Sequence, residues 1–335
     1  MSIYSTAEDE INKIYEKAEK EADKILKEWY EQFKTIDKKQ KNLVESGKLK
    51  KEAWEAMRQR RMATGTAFHK LQEKLYTIYN KAYEKAVEVT KKAAVDIYLK
   101  NYNTSNYGYE KETHASYSNL LTSKEVQRQF NVVGYRGAYG YPNPVYNKHR
   151  TYIRSVITGK VTSAAINGVE ITEGIRFISD GIKTALLAAA AGLLMLTVTR
   201  NESAAKINAA ISQEEIGAEF EKTWLATLDT ITRETHREAD GQTVGVNEPF
   251  VVGGYKMMEP GDSSLGAPPS ETRNCRCTIT IQLINIDRGK YERRAREFNP
   301  EYSTQDYGWG QNYTISGNMT YKQWEKLKKA NGQME

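Results

Sequence analysis

Apolar residues near the start of the chain recur at intervals of three and four. Ile11, Ile14, Tyr15, Ala18, Ala22, Ile25, Leu26, Trp29, Phe33 and Ile36 form one stripe, with Lys and Glu on the faces between. This is the pattern of an amphipathic helix. Continuous from about Ala7 to Glu45, it would be roughly 58 Å long at the usual helical rise. Ser5 or Thr6 is placed to cap its start, Glu8 and Asp9 suit its first turn, and Ser46-Gly47 marks its stop. A second stripe runs through Ala53, Trp54 and Met57, then from Phe68 to Ile97, with an interruption at Thr64-Gly65. Residues 1–100 therefore predict a long antiparallel helical hairpin. Neither helix can bury its stripe alone, so both need partners.

The period is lost over residues 101–150. Ten tyrosines fall from Tyr98 to Tyr152, among Gly, Asn, Ser and Pro, which predicts a loop-rich arm or linker. Its aromatic and basic residues suit an extended protein contact, or stacking on nucleic acid bases. Helical spacing returns from Tyr152 to Ile211, with Thr172 and Asn201 as candidate N-caps and Gly168 and Gly181 as candidate breaks. Thr184–Thr199 has no charge but covers only 16 residues, short of a membrane span, so a buried Ala/Leu helix is expected.

From Lys222 to Ile284 the period shortens. Lys222–Thr227 suits a strand, and a turn with a short helix follows, ending at Gly241. Two short strands flank Gly253-Gly254, and Cys277–Ile284 alternates as another strand. The tail, 286–335, reads as loop around Tyr302–Gly317 and then a helix near Tyr321–Lys329. The fold class expected is mainly α with a small α+β C-terminal unit over the end of 151–285.

Composition narrows the function classes. Two cysteines in 335 residues exclude a disulfide-stapled scaffold. The N-terminal MSIYSTAEDE has neither a basic nor an apolar leader region, so no secretory signal is expected. The net charge is +6, with 22 Lys+Arg against 17 Asp+Glu in residues 1–100 and 12 against 16 in residues 151–285. Lys38, Lys39, Lys41, Lys50, Lys51, Arg58, Arg60 and Arg61 concentrate this basic front. They are the local candidates for phosphate contact, although such runs are most simply a solvated face.

The most specific signal is a set of residues in fixed order. It runs through Trp224, Asp229, Thr232, Arg233, His236, Gly241, Gln242, Pro260, Gly261 and Asp262, then Asn274-Cys275-Arg276-Cys277. This order resembles the phage Mu F-like minor head protein family of head-morphogenesis proteins. Thr199–Ala210 upstream resembles the helix that precedes the unit there. The resemblance covers about Tyr152 to Ile284 and does not reach the Tyr-rich arm. It implies a minor capsid protein inside the virion near the portal vertex, in the host cytoplasm during assembly. Its implied partners are the portal protein, the major capsid or scaffold protein, and packaged DNA whose ejection it would influence.

The same residues also have a chemical reading. Cys275 and Cys277 are two apart on an expected strand and point to one face. With His236 they make three candidate zinc ligands, with Asp229 or Asp262 as a fourth. The competing reading is two buried thiols and a hydrogen-bonded His; a disulfide across one residue would be strained. Asp229, Arg233 and His236 fall at i, i+4 and i+7, one helix face, where an ion-paired network or a base with its orienting acid would both fit. Arg276 faces the other way, free to pair with an acidic residue or a partner. The chain carries neither a G-x-S-x-G elbow nor a Gly-rich phosphate loop. A structural, non-enzymatic protein without a small-molecule substrate or membrane partner is therefore expected. A double-stranded DNA-binding protein and a metal-dependent enzyme built on His236, Cys275 and Cys277 are the alternatives, with a membrane-active role for Leu186–Val198 behind them.

Overall fold

The computed structural model describes residues 2–63, 65–113, 118–133, 140–141, 146–166, 171–214, 217–287 and 315–330. Gly168 and residues 302–314 lie outside these, as do residues 114–117, 134–139 and 142–145 of the expected arm. The chain forms two compact units, each assembled from two stretches. Residues 1–90 and 143–193 make the first, and residues 91–142 and 194–335 make the second.

The first unit is helical. It contains α1 (Ile3–Glu45), α2 (Lys51–Ala63), α5 (Tyr146–Ile166) and the first parts of α3 (Thr66–Thr113) and α6 (Ile171–Glu214). The α1 stripe is buried as its spacing predicts, from Ala7 through Ile11, Tyr15, Ala18, Ala22 and Leu26 to Phe33. The helix starts earlier than expected, because Ser2 rather than Ser5 or Thr6 accepts the capping bond, from Ser5 N. It ends as expected at Ser46, with Gly47 in the left-handed region at φ 71°. Polar pairs tie the helices at their margins. Trp54 Nε1 donates to Asp37 at 3.1 Å, Lys183 meets Glu19 at 2.8 Å and Arg154 meets Glu73 at 2.7 Å. The expected two-helix hairpin is thus part of a bundle, whose buried stripe continues on α5 with Ile153, Ile157 and Val161.

Two expectations about helix ends do not hold. Residues 101–113 continue α3 rather than opening an irregular arm, and α4 (Ser123–Val133) follows. Tyr98 and Tyr109 are buried, and the side chains of Asn101 and Asn106 bond back to carbonyls four residues earlier. Tertiary burial outweighs the poor helix propensity of this stretch. Nor do Gly181 and Asn201 interrupt α6. Asn201 sits inside the helix, its amide donating to Thr197 O and Gly140 O. The segment from Gly174 to Glu214 is long and apolar enough to cross a membrane. Leu186, Ala190, Leu194 and Val198 are buried within it at four-residue spacing.

The second unit adds the small sheet region. β1 (Ala218–Leu225) is central, antiparallel to β2 (Thr243–Gly245) on one side and to β5 (Thr278–Ile286) on the other. Its alternation turns Ala218, Phe220, Lys222 and Trp224 inward. β3 (Phe250–Val252) and β4 (Tyr255–Met257) form a hairpin across Gly253-Gly254. Both glycines have positive φ, which this two-residue turn requires and glycine adopts freely. Short helices α7 (Glu234–Glu238) and α8 (Pro269–Thr272) lie between strands, and α9 (Tyr321–Ala330) closes the described chain.

Candidate functional site

Trp224 anchors the site. It is fully buried on β1, and its ring meets His236 edge-on at 5.6 Å and Phe250 at 5.4 Å. Its backbone pairs with the loop after α7, where Trp224 N donates to Gln242 O and Gly241 N donates to Trp224 O, both at 2.9 Å. Gly241 makes this turn at φ 75°. The Gln242 side chain holds both backbone groups of Val251, donating to its O at 3.1 Å and accepting from its N at 2.7 Å. Trp224, Gly241 and Gln242 therefore join β1, β2 and β3 into one frame.

The loop between β1 and α7 is organised by Asp229. Arg276 approaches it with two nitrogens, at 2.6 and 2.8 Å, and Thr232 Oγ1 and Ile231 N donate to it as well. The Arg276 guanidinium holds the Asp229 carboxyl well below the usual carboxylate range. Thr232 Oγ1 also lies against Thr227 O, Arg233 donates to Arg273 O, and Thr227 Oγ1 donates to Arg276 O. The expected shared helix face of Asp229, Arg233 and His236 is not formed, because α7 starts only at Glu234 and Asp229 lies in the preceding loop. The partner of Asp229 is Arg276, 47 residues away.

Pro260, Gly261 and Asp262 build a separate corner. Asp262 accepts from Met258 N, Ser264 N and Ser264 Oγ at 2.7 to 3.0 Å. Gly261 has φ 83°, and a Cβ there would lie 2.8 Å from Leu196 Cδ1, so the corner packs directly on α6. Arg200 on that helix reaches Asp262 at 3.8 Å and Glu259 at 3.9 Å.

His236, Cys275 and Cys277 come together and are buried. Cys275 and Cys277 precede β5, where Asn274, with φ 54°, turns the chain. Nδ1 of His236 lies 3.4 Å from Cys277 Sγ and 3.6 Å from Cys275 Sγ. Its Nε2 faces Glu271 Oε2 at 3.3 Å, and Thr235 Oγ1 donates to the same oxygen at 2.9 Å. The neighbouring Cys275 S–H and the imidazole pull the Cys277 thiol down to about 5 against the effect of burial, while the Cys277 contact pushes Cys275 up. Neither Asp229 nor Asp262 joins this group, each being held by its own partners. Glu271, on the far side of the ring, is the carboxylate that sequence spacing did not disclose.

The basic candidates lie at the corner between α1 and α2. Lys38, Lys39, Lys41, Lys50, Lys51 and Arg60 are exposed. Arg58 and Arg61 are half-buried against Asp37, at 3.6 and 3.4 Å, which offsets part of their charge.

Residues 155–280 match the family model described as Phage Mu protein F like protein. The chain is 26% identical over 239 residues to the Minor head protein GP7 of Bacillus phage SPP1, covering 70% of each chain. It is 30% identical over 138 residues to the NAD(+)–arginine ADP-ribosyltransferase EFV of Enterococcus faecalis, strain ATCC 700802 / V583. That match takes 41% of this chain and spans 27% of the Enterococcus protein. No solved structure matches. The likeness to the Phage Mu protein F like family thus covers residues 155–280 of this chain.

Proposed function

We propose that this protein is a minor head protein acting in phage head morphogenesis, docked on the portal inside the virion. The observation that carries the reading is the breadth of the likeness to the Bacillus phage minor head protein, 239 residues against the 126-residue span of the family match. The role is one of protein contact. The Enterococcus relative bears the name of a transferase, yet about three quarters of that protein lies outside the alignment. The titratable cluster around His236 is sealed from solvent, where a substrate would find no approach.

For the docking surface the α1–α2 corner is the best candidate. Ile36, Leu43 and Met57 are all more than 40% exposed there, on the same two helices as the exposed lysines named above. Exposed apolar side chains with a charged rim suit a protein interface. Major capsid or scaffold protein and packaged DNA are the further partners of such a protein. The test is co-expression with the portal protein of the same phage, followed by size-exclusion chromatography with mass determination. A defined complex that is lost in an Ile36→Glu, Leu43→Glu, Met57→Glu triple variant, with helicity kept, supports both the role and the surface. A full-length protein that elutes alone overturns portal docking.

A further inference from the structure

We propose that His236 Nδ1 and the Cys275 and Cys277 thiolates hold one zinc ion, which staples the loop before β5 to α7 beneath Trp224. Zinc bonds sulfur at about 2.3 Å and imidazole nitrogen at about 2.0–2.1 Å in a tetrahedron, which places such a nitrogen and sulfur roughly 3.6 Å apart. The two nitrogen–sulfur separations here are 3.4 and 3.6 Å, and all three ligand atoms lie within 4.8 Å of one another. The two thiols converge on the same ring nitrogen, as ligands of a common ion do.

Metal-ligating histidines present their other nitrogen to a carboxylate or carbonyl, which fixes the ring. Glu271 Oε2 lies 3.3 Å from His236 Nε2 with no hydrogen bond formed between them, placed to take that part when the ring settles on the ion, and Thr235 Oγ1 donates to the same oxygen. Charge also balances. A zinc dication with two thiolates and a neutral imidazole carries no net charge, whereas an isolated charge at this depth would be costly. Binding releases to solvent whatever thiol protons remain. These three side chains hold the ion, and its role is structural, since all three are buried. The family assignment plays no part in this inference, which would stand if portal docking failed.

The experiment uses the full chain, purified without chelator and without added metal. Elemental analysis by mass spectrometry is expected to find about one zinc per chain. Replacement by cobalt(II) should give thiolate-to-cobalt charge-transfer bands together with tetrahedral d–d bands. Cys275→Ser and Cys277→Ser should each remove the charge-transfer intensity of one thiolate and release zinc to a chelating dye. Glu271→Gln keeps every ligand and should weaken zinc binding by about 10–100-fold in the same competition. Substoichiometric zinc and no cobalt–thiolate band in a helical, monodisperse wild-type protein would overturn the site, leaving a hydrogen-bonded thiol–imidazole cluster. That measurement stands even if the cysteine variants fail to fold. Stoichiometric iron in place of zinc would overturn the identity of the ion.

Discussion

Glu259 is the residue whose surroundings have the clearest consequence for stability. Burial and the neighbouring Asp262 push its carboxyl up to about 8, with Arg200 and Lys222 opposing. Burial brings Lys222 down to about 8, against Glu259, Asp262 and Glu248. Lys222 turns inward from β1 and donates to Met258 O at 2.9 Å, so both groups sit behind the Pro260–Asp262 corner. A carboxyl with a raised pKa contributes stability that is complete below its unfolded value of 4.5 and is lost as pH climbs through about 8. Lys222, lowered from 10.5, behaves in the opposite sense, its contribution present above 10.5 and lost as pH falls through about 8. Between pH 5 and 7 the Glu259 effect dominates the slope. Glu259→Gln should therefore gain on wild type by on the order of 2 kcal/mol between pH 5 and pH 7, as measured by urea unfolding. Parallel curves for the two proteins would mean that Glu259 stays ionised in the fold and Arg200 carries the compensation.

At the scale of elements, α9 shows how a short terminal helix is held by a buried polar contact. Thr320 and Gln323 cap it reciprocally, Thr320 N donating to Gln323 Oε1 at 2.8 Å and Gln323 N to Thr320 Oγ1 at 3.4 Å. Trp324 Nε1 and Lys328 Nζ then both reach Glu110 on α3, at 2.7 and 2.8 Å, and Lys328 also donates to Ser118 O at 2.6 Å. Glu110 and Lys328 are fully buried. Removing one partner of such a pair strands the other charge. Lys328→Met should lower the opening free energy of α9 by about 3 kcal/mol, read from amide hydrogen exchange across residues 321–330. Unchanged protection there would show that Trp324, Leu120 and Ile315 hold the helix by apolar packing alone. The helix itself was legible, as were the α1 stripe, the C-terminal half of β1 (expected at Lys222–Thr227, observed at Ala218–Leu225), and the β3–β4 hairpin from its paired glycines. What holds α9 was not, because nothing local links Lys328 to Glu110 across 218 residues. The continuation of α3 through Asn101–Thr113 was hidden for a related reason. Its Tyr and Asn residues read as loop until their burial by α4, α6 and the sheet is known. Within the candidate site, the sequence identified His236, Cys275 and Cys277 but placed Asp229 and Arg233 on a helix that begins after them, and it offered no signal for Glu271.

For the whole molecule, charge is spread less evenly than the net value of +6 suggests, with 22 Lys+Arg against 17 Asp+Glu in residues 1–100 and 12 against 16 in residues 151–285. The largest basic excess lies in the first hundred residues, and Lys38, Lys39, Lys41, Lys50, Lys51 and Arg60 expose part of it at the corner formed by the end of α1 and the start of α2. If Lys38, Lys39, Lys41, Lys50, Lys51 and Arg60 all contact phosphates of packaged DNA, duplex affinity should fall with salt at a log–log slope of about −5, since each neutralised phosphate contributes about −0.9. Replacing Lys38, Lys39 and Lys41 with Gln should make that slope shallower by about 3. Arg58→Gln should change it much less, because Asp37 already engages that guanidinium at 3.6 Å. Fluorescence anisotropy with a duplex of arbitrary sequence, titrated at several salt concentrations, measures all three. A slope near zero, or one that the triple replacement leaves unchanged, would remove DNA from this corner. Its lysines would then be the charged rim around Ile36, Leu43 and Met57, and the docking surface would be a purely protein one. The two outcomes are physically distinct, because a rim charge at a protein interface alters chiefly the association rate and its salt dependence, whereas counterion release from DNA scales with the number of phosphates engaged.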